Sequence, residues 1–198
     1  MRHRFVFLAL GLALALVLPV GPALAHATDG YGGGFIAGFT HPILGLDHVA
    51  AMVAVGLWGA FLGAPAIWAL PVVFPLVMAL GAVAGIAGLP VPAVETGIAL
   101  SALVLGLMIV FAVKPPLWVA AVIVGGFAVF HGYAHGTELP GTADAFAYAV
   151  GFVICTGLLH TAGIAFGLPV KWPTGRLAVR GAGGVISLAG VAFLTGFV

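Results

Sequence analysis

The chain has one cysteine, Cys155, among its 198 residues, and charged side chains make up only 6% of it. A lone thiol excludes both a disulfide framework and a cysteine metal cluster, which leaves Cys155 as a packing residue inside an apolar run. With so few charges and a net charge of +1, there is no basic surface for nucleic acid. The sequence also lacks a P-loop and the H-E-x-x-H pattern of zinc proteases, so neither an ATP-driven motor nor that hydrolase is expected. What fills the chain instead is apolar: 63% hydrophobic residues and a mean hydropathy of +1.30. A soluble domain could not hide that much apolar surface, so the composition is that of an all-α polytopic protein with the lipid bilayer as its solvent.

Residues 1–25 differ from the rest. Arg2, His3 and Arg4 form a positive start, Phe5 to Val17 an apolar core, and Ala23-Leu24-Ala25 an A-x-A cleavage site, the anatomy of a secretory signal peptide. Cleavage there leaves one transmembrane domain, 26–198, beginning at His26 outside the cytoplasm. An N-terminal histidine offers an amine and an imidazole to a metal, which makes His26 a candidate ligand. Past the glycine-rich lead-in Gly30 to Gly34, Pro and Gly clusters mark off about six apolar runs: Phe35 to Leu62, Ile67 to Ala87, Ala93 to Val113, Leu117 to Tyr133, Ala143 to Phe166 and Leu177 to Phe197. The first is long for one crossing and predicts a broken or re-entrant start. Gly81, Gly85 and Gly88 in the second run, with Gly181, Gly183 and Gly184 in the sixth, are small residues that let helices approach closely.

Six crossings from an external N-terminus put Lys114, Lys171, Arg176 and Arg180 on the cytoplasmic side, as the positive-inside rule requires. The acids Asp29, Glu138 and Asp144 then lie in external segments, and Asp47 and Glu95 near the outer ends of their spans. Both mature termini are expected outside. Two halves of three spans run in opposite directions, the arithmetic of an inverted repeat, although no internal alignment supports one.

The motif that organises the chain is His41-Pro42-Ile43-Leu44-Gly45-Leu46-Asp47-His48 at the head of the first run. Ionisable groups entering a bilayer are costly and mark ion pathways, proton relays or cavities. Pro42 favours a helix start, with Asp47 and His48 in its second turn. In an unbroken helix His41 and His48 would stand about 10 Å apart along the axis. Shared ligation therefore needs a non-helical entry at Thr40 to Pro42; otherwise the two are successive stations. A second cluster, His131-Gly132-Tyr133-Ala134-His135-Gly136-Thr137-Glu138, sets two imidazoles four apart on one helix face, a spacing that can close on one metal. Glu138 continues that side if the helix persists past Gly136. His160 is deep in the fifth run, where a functional role is the default and packing the alternative. Glu95 is a further candidate, with helix-dipole stabilisation as its structural explanation. Thr96, Ser101, Thr156 and Thr161 suit cross-helix hydrogen bonds. Imidazoles and carboxylates without thiolate suit Ni(II), Co(II), Zn(II) or Fe(II) and disfavour Cu(I).

The blocks His-Pro-x-x-Gly-x-Asp-His followed by Val49 to Trp58, Phe130-His-Gly-x-Ala-His-Gly-x-Glu138, and Leu159-His160 resemble the HupE/UreJ family of nickel permeases, accessory to hydrogenases and ureases. The resemblance covers nearly all the mature chain. It implies a six-span permease of the bacterial inner membrane that takes up Ni(II), or Co(II), as cargo with no prosthetic group, and it marks His41, Asp47, His48, His131, His135 and Glu138 as the matching positions. The residues alone support a divalent transition metal and leave its identity and the oligomeric state open. Other readings are a histidine-rich membrane di-iron enzyme, which needs more histidines than the six of the mature chain and adjacent pairs that it lacks, a bis-histidine haem carrier, and a passive divalent-metal channel.

Overall fold

The computed structural model describes residues 34–139 and 144–197. The signal segment, His26 and Asp29 lie outside the described residues. Those described form seven α-helices and no strand: α1 (Gly34–Leu44), α2 (Leu46–Leu62), α3 (Ala66–Ile86), α4 (Val94–Val110), α5 (Leu117–Thr137), α6 (Ala145–Gly167), a 3₁₀ turn (Leu168–Lys171) and α7 (Pro173–Leu194). Each apolar run expected from sequence maps onto one helix, except the first, which maps onto α1 and α2. Helices α3, α5, α6 and α7 are long and apolar enough to cross a bilayer, and α1 with α2 passes the same test only as a pair bent by 82°, the geometry of a broken span or a re-entrant loop. Helix α4, at 17 residues, is about 25 Å long and falls short of the usual hydrocarbon thickness.

The break in the first crossing is not where the sequence placed it. Thr40, His41 and Pro42 are helical, with Pro42 inside α1, and the chain leaves the helix at Gly45, whose backbone is extended (φ −95°, ψ 107°). Any residue adopts that conformation; what demands glycine is space. A Cβ at Gly45 would stand 2.9 Å from both Asp47 Oδ1 and His48 Nδ1. The sequence favours a helix start at Pro42, where a missing N–H does no harm, but Pro42 lies in a helix interior, in the arm that packs on α6.

Helix α2 is the hub. It packs on α6, α4, α3 and α7 and buries Met52, Val55, Leu57, Trp58 and Phe61. The closest helix pairs are α3 with α5, α4 with α7, and α6 with both α1 and α2. Glycines explain the first: Gly132 and Gly136 of α5 lie against the backbone carbonyls of Met78 and Ala82, and Gly81 and Gly85 of α3 against those of Val129 and Tyr133. Gly183 is likewise packed against α4, whereas Gly88 and Gly181 face open space and play no such part. If α1–α4 is one half and α5–α7 the other, an inverted repeat would exchange the α3·α5 and α2·α6 contacts and map α4·α7 onto itself. All three contacts are present.

The exposed apolar side chains, among them Leu76, Leu80, Val122, Phe146 and Leu188, form the surface that lipid would cover. The two ends of the bundle differ. At one end Lys114 sits over the Phe61 ring, Arg180 Nε donates to the Val110 carbonyl at 2.6 Å, and Trp68, Trp118 and Trp172 are exposed, an aromatic and basic rim of the kind found at a membrane interface. The opposite end, where α2 begins and α5 finishes, carries the histidines.

Candidate metal site

The 82° bend turns one sequence motif into two arms. His41 approaches from α1 and His48 from the first turn of α2, and both reach His135 on α5: the ring centroids are 4.8 Å apart for His41–His135 and 4.5 Å for His48–His135. His131, one turn deeper on α5, lies 4.7 Å from the His48 ring. Helix α5 persists to Thr137 and Glu138 closes it, so the carboxylate follows the two imidazoles on one side, and His41 Nε2 meets Glu138 Oε2 at 3.1 Å. Ligand atoms of His41, His135 and Glu138 all lie within 4.8 Å of one another. Donors sharing a transition-metal ion with bonds of about 2.1 Å stand about 3 to 4 Å apart, so a small closure would bring these three onto one ion.

Two hydrogen bonds decide which nitrogens the deeper pair offers. Asp47 Oδ1 accepts from the His48 backbone N–H and lies 2.8 Å from His48 Nδ1, so Nδ1 carries the proton and Nε2, which is buried without a partner, presents a lone pair. The Ser101 hydroxyl donates its one proton to the Ile98 carbonyl at 2.6 Å. Its oxygen must therefore accept from His131 Nε2, 2.9 Å away, and His131 Nδ1, also buried and unpartnered, is left with the lone pair. Both nitrogens of His135 lack a partner as well. Unsatisfied buried imidazole nitrogens are costly, and here they cluster where a cation would satisfy them.

Exposure falls steadily along the cluster: the Glu138 side chain is 48% exposed and His41 18%, while His135 is at 5% and His131 at 0%. Phe152 packs its ring 4.3 Å from His135, and Tyr148 lies 5.9 Å from His41, so α6 walls the site with aromatic surface. Below His131 the Phe74 ring of α3 contacts both it and His160, at 5.4 Å and 5.3 Å. His160 thus belongs to a deeper level. Glu95 is exposed in the first turn of α4 and stands outside the three-ligand group. Ser101 makes the cross-helix hydrogen bond that its sequence suggested, with His131 as a partner the sequence did not name, and Phe74, Tyr148 and Phe152 carried no sequence signal as walls.

Residues 14–193 match the family described as HupE / UreJ protein. The chain belongs to the HupE/UreJ family. A curated relative, Protein HupE of Rhizobium leguminosarum bv. viciae, is 47% identical over 176 residues, covering 88% of this chain and 92% of that protein. No solved structure matches. Within this HupE/UreJ chain the roles of Ser101 and Asp47 can be tested by substitution. Ser101→Ala leaves His131 Nε2–H without its acceptor and frees the ring to rotate, and Asp47→Asn keeps an acceptor for His48 but removes the negative charge. Each is expected to weaken metal affinity by about tenfold, read by titrating the purified protein with Ni(II); unchanged affinity in Ser101→Ala would remove its positioning role.

Proposed function

We propose that this protein is an uptake permease that carries a divalent transition-metal ion, nickel first and cobalt second, from the periplasm into the cytoplasm, where it supplies the maturation of a hydrogenase or urease. The observation that carries the reading is His135: it is shared by the outer group with His41 and Glu138 and the deeper pair His48 and His131. Family membership supports transport rather than catalysis. The set holds imidazoles and carboxylates and no thiolate, which suits Ni(II) and Co(II). Glu138, the most exposed donor, draws the hydrated cation in; the ion takes the place of the proton between Glu138 and His41, and then passes by way of His135 to the bare nitrogens of His48 and His131. Asp47 offsets its charge at the deeper level.

The proposed topology has six crossings after a cleaved signal peptide, with α4 as a short one accommodated by local thinning or flanking residues, in the inner membrane with both mature termini periplasmic. The basic rim, opposite the histidines, supports that orientation. A reporter fused after Val198 is expected to be active only outside the cytoplasm, and one inserted near Lys171 only inside. The reverse pattern would put the histidines on the wrong side for uptake. A cation moving inward gains about 2.3 kcal/mol per charge per 100 mV of membrane potential, so uptake needs no nucleotide. Because a protonated imidazole cannot ligate, external acidification is expected to raise the metal concentration needed for half-maximal uptake.

A further inference from the structure

Beneath Phe74 a second group of polar atoms is buried without partners. His160 is 1% exposed and neither ring nitrogen completes a hydrogen bond. One turn earlier on the same face of α6, Thr156 is fully buried and its hydroxyl is also unpartnered. This is unusual within the molecule: Thr40, Thr161 and Thr195 each donate back to the carbonyl four residues before them, the ordinary way a threonine hydroxyl is satisfied in an apolar helix. Thr156 leaves that carbonyl alone. Opposite, α3 contains Pro71 and Pro75. Pro75 has no N–H, so the Pro71 carbonyl has lost its helical donor, and it is this carbonyl that lies near the His160 ring, although neither ring nitrogen completes a hydrogen bond. A proline at this depth in a bilayer is tolerated only where the freed carbonyl finds another partner or lines a path.

We infer that His160, Thr156 and the Pro71 carbonyl form a second, inner station for a divalent transition-metal cation, separated from the outer histidines by the Phe74 ring. The inference rests on the transport reading above. The donor set is one imidazole nitrogen and two neutral oxygens, with no carboxylate among the three. Such a station holds a cation more weakly than the outer cluster, which carries Asp47 and Glu138. A weak inner station after a stronger outer one is what passage requires, because an ion must enter readily and still leave. It also gives Pro75 a function, that of releasing a carbonyl oxygen for the ion.

The test is uptake of nickel and cadmium by the full-length protein in proteoliposomes, comparing wild type with His160→Leu and His160→Cys. Leucine removes the ligand and keeps the bulk; maximal nickel uptake should fall by about tenfold or more while the half-saturating concentration, set by the outer cluster, changes by less than about threefold. Cysteine restores a ligand, but a soft one, so uptake should return with the cadmium-to-nickel ratio raised by about tenfold. A structural role for His160 would not change metal preference. Normal uptake in His160→Leu, or a cysteine variant that is as inactive as leucine or active with the wild-type preference, overturns the station. Should neither variant reach the membrane, Thr156→Val, which keeps shape and removes the hydroxyl oxygen, must lower maximal uptake several-fold, and unchanged uptake overturns the station equally. Wild-type protein that moves no metal would instead sink the transport reading itself.

Discussion

Replacing His135 by alanine is expected to abolish nickel uptake, with protein still present in the membrane. The imidazole is in contact with both arms of the broken helix, 4.8 Å from the His41 ring and 4.5 Å from that of His48, so its loss removes a donor from the outer group and the link to the deeper pair together. His41→Ala removes a donor from the outer group alone. His48→Ala should also abolish uptake, because Asp47 would keep its charge with no imidazole to orient. The effect of His135→Ala should exceed that of Ser101→Ala or Asp47→Asn by at least about tenfold, since a lost ligand costs more than a lost positioning contact. Expression is read by membrane immunoblot and uptake by accumulation of radioactive nickel in cells. Normal accumulation in a His135→Ala protein present at wild-type level would show that the ion does not pass between the two arms.

Gly132→Ala is expected to be nearly as damaging by a different route. A methyl at this position would overlap the backbone carbonyl of Met78, and because the obstacle is backbone in a packed helix, α3 and α5 would have to part. His131 and His135 ride on the same stretch of α5 and Phe74 on α3, so the site widens as the pair separates. Overpacking of this kind costs about 1–3 kcal/mol and sometimes more. The expected outcome is a lowered melting temperature in detergent and loss of metal binding, whereas Gly126→Ala on the same helix, where a Cβ meets nothing, should be neutral. Equal behaviour of the two variants would contradict the role of helix approach. The repeated His-Gly pair in His131-Gly132 and His135-Gly136 then has a physical meaning: each histidine is followed by the residue that seats its helix turn against α3.

Much of this was legible in the chain itself. Hydropathy marked the helices to within a few residues, since a segment that must satisfy its own backbone in lipid has few alternatives to an α-helix. The i, i+4 spacing placed His131 and His135 on one face, and the length of the first run foretold a break. Its position was not legible. Pro42 looks like the stronger breaker, but the break falls at Gly45, where a Cβ would crowd the Asp47 and His48 side chains. The partner of Ser101 was equally hidden, because a serine that accepts from a histidine of the cluster and one that bridges two apolar helices have the same sequence. The meeting of His41 and Glu138, at 3.1 Å, joins positions 97 residues apart, and only the packing of α1, α5 and α6 brings them together. Phe74 and Phe152 look like any apolar residue of a membrane helix until their neighbours are known.

The central claim, that the cluster around His135 is a path for a divalent metal ion, is tested most directly by uptake of radioactive nickel into proteoliposomes holding the purified protein, with membrane potential and external pH set independently. The account predicts saturable uptake that rises with an inside-negative potential and, at fixed potential, needs more metal as the external pH falls. Flux no greater than in protein-free liposomes would contradict it, and flux linear in metal concentration and indifferent to pH would replace the carrier with a passive channel.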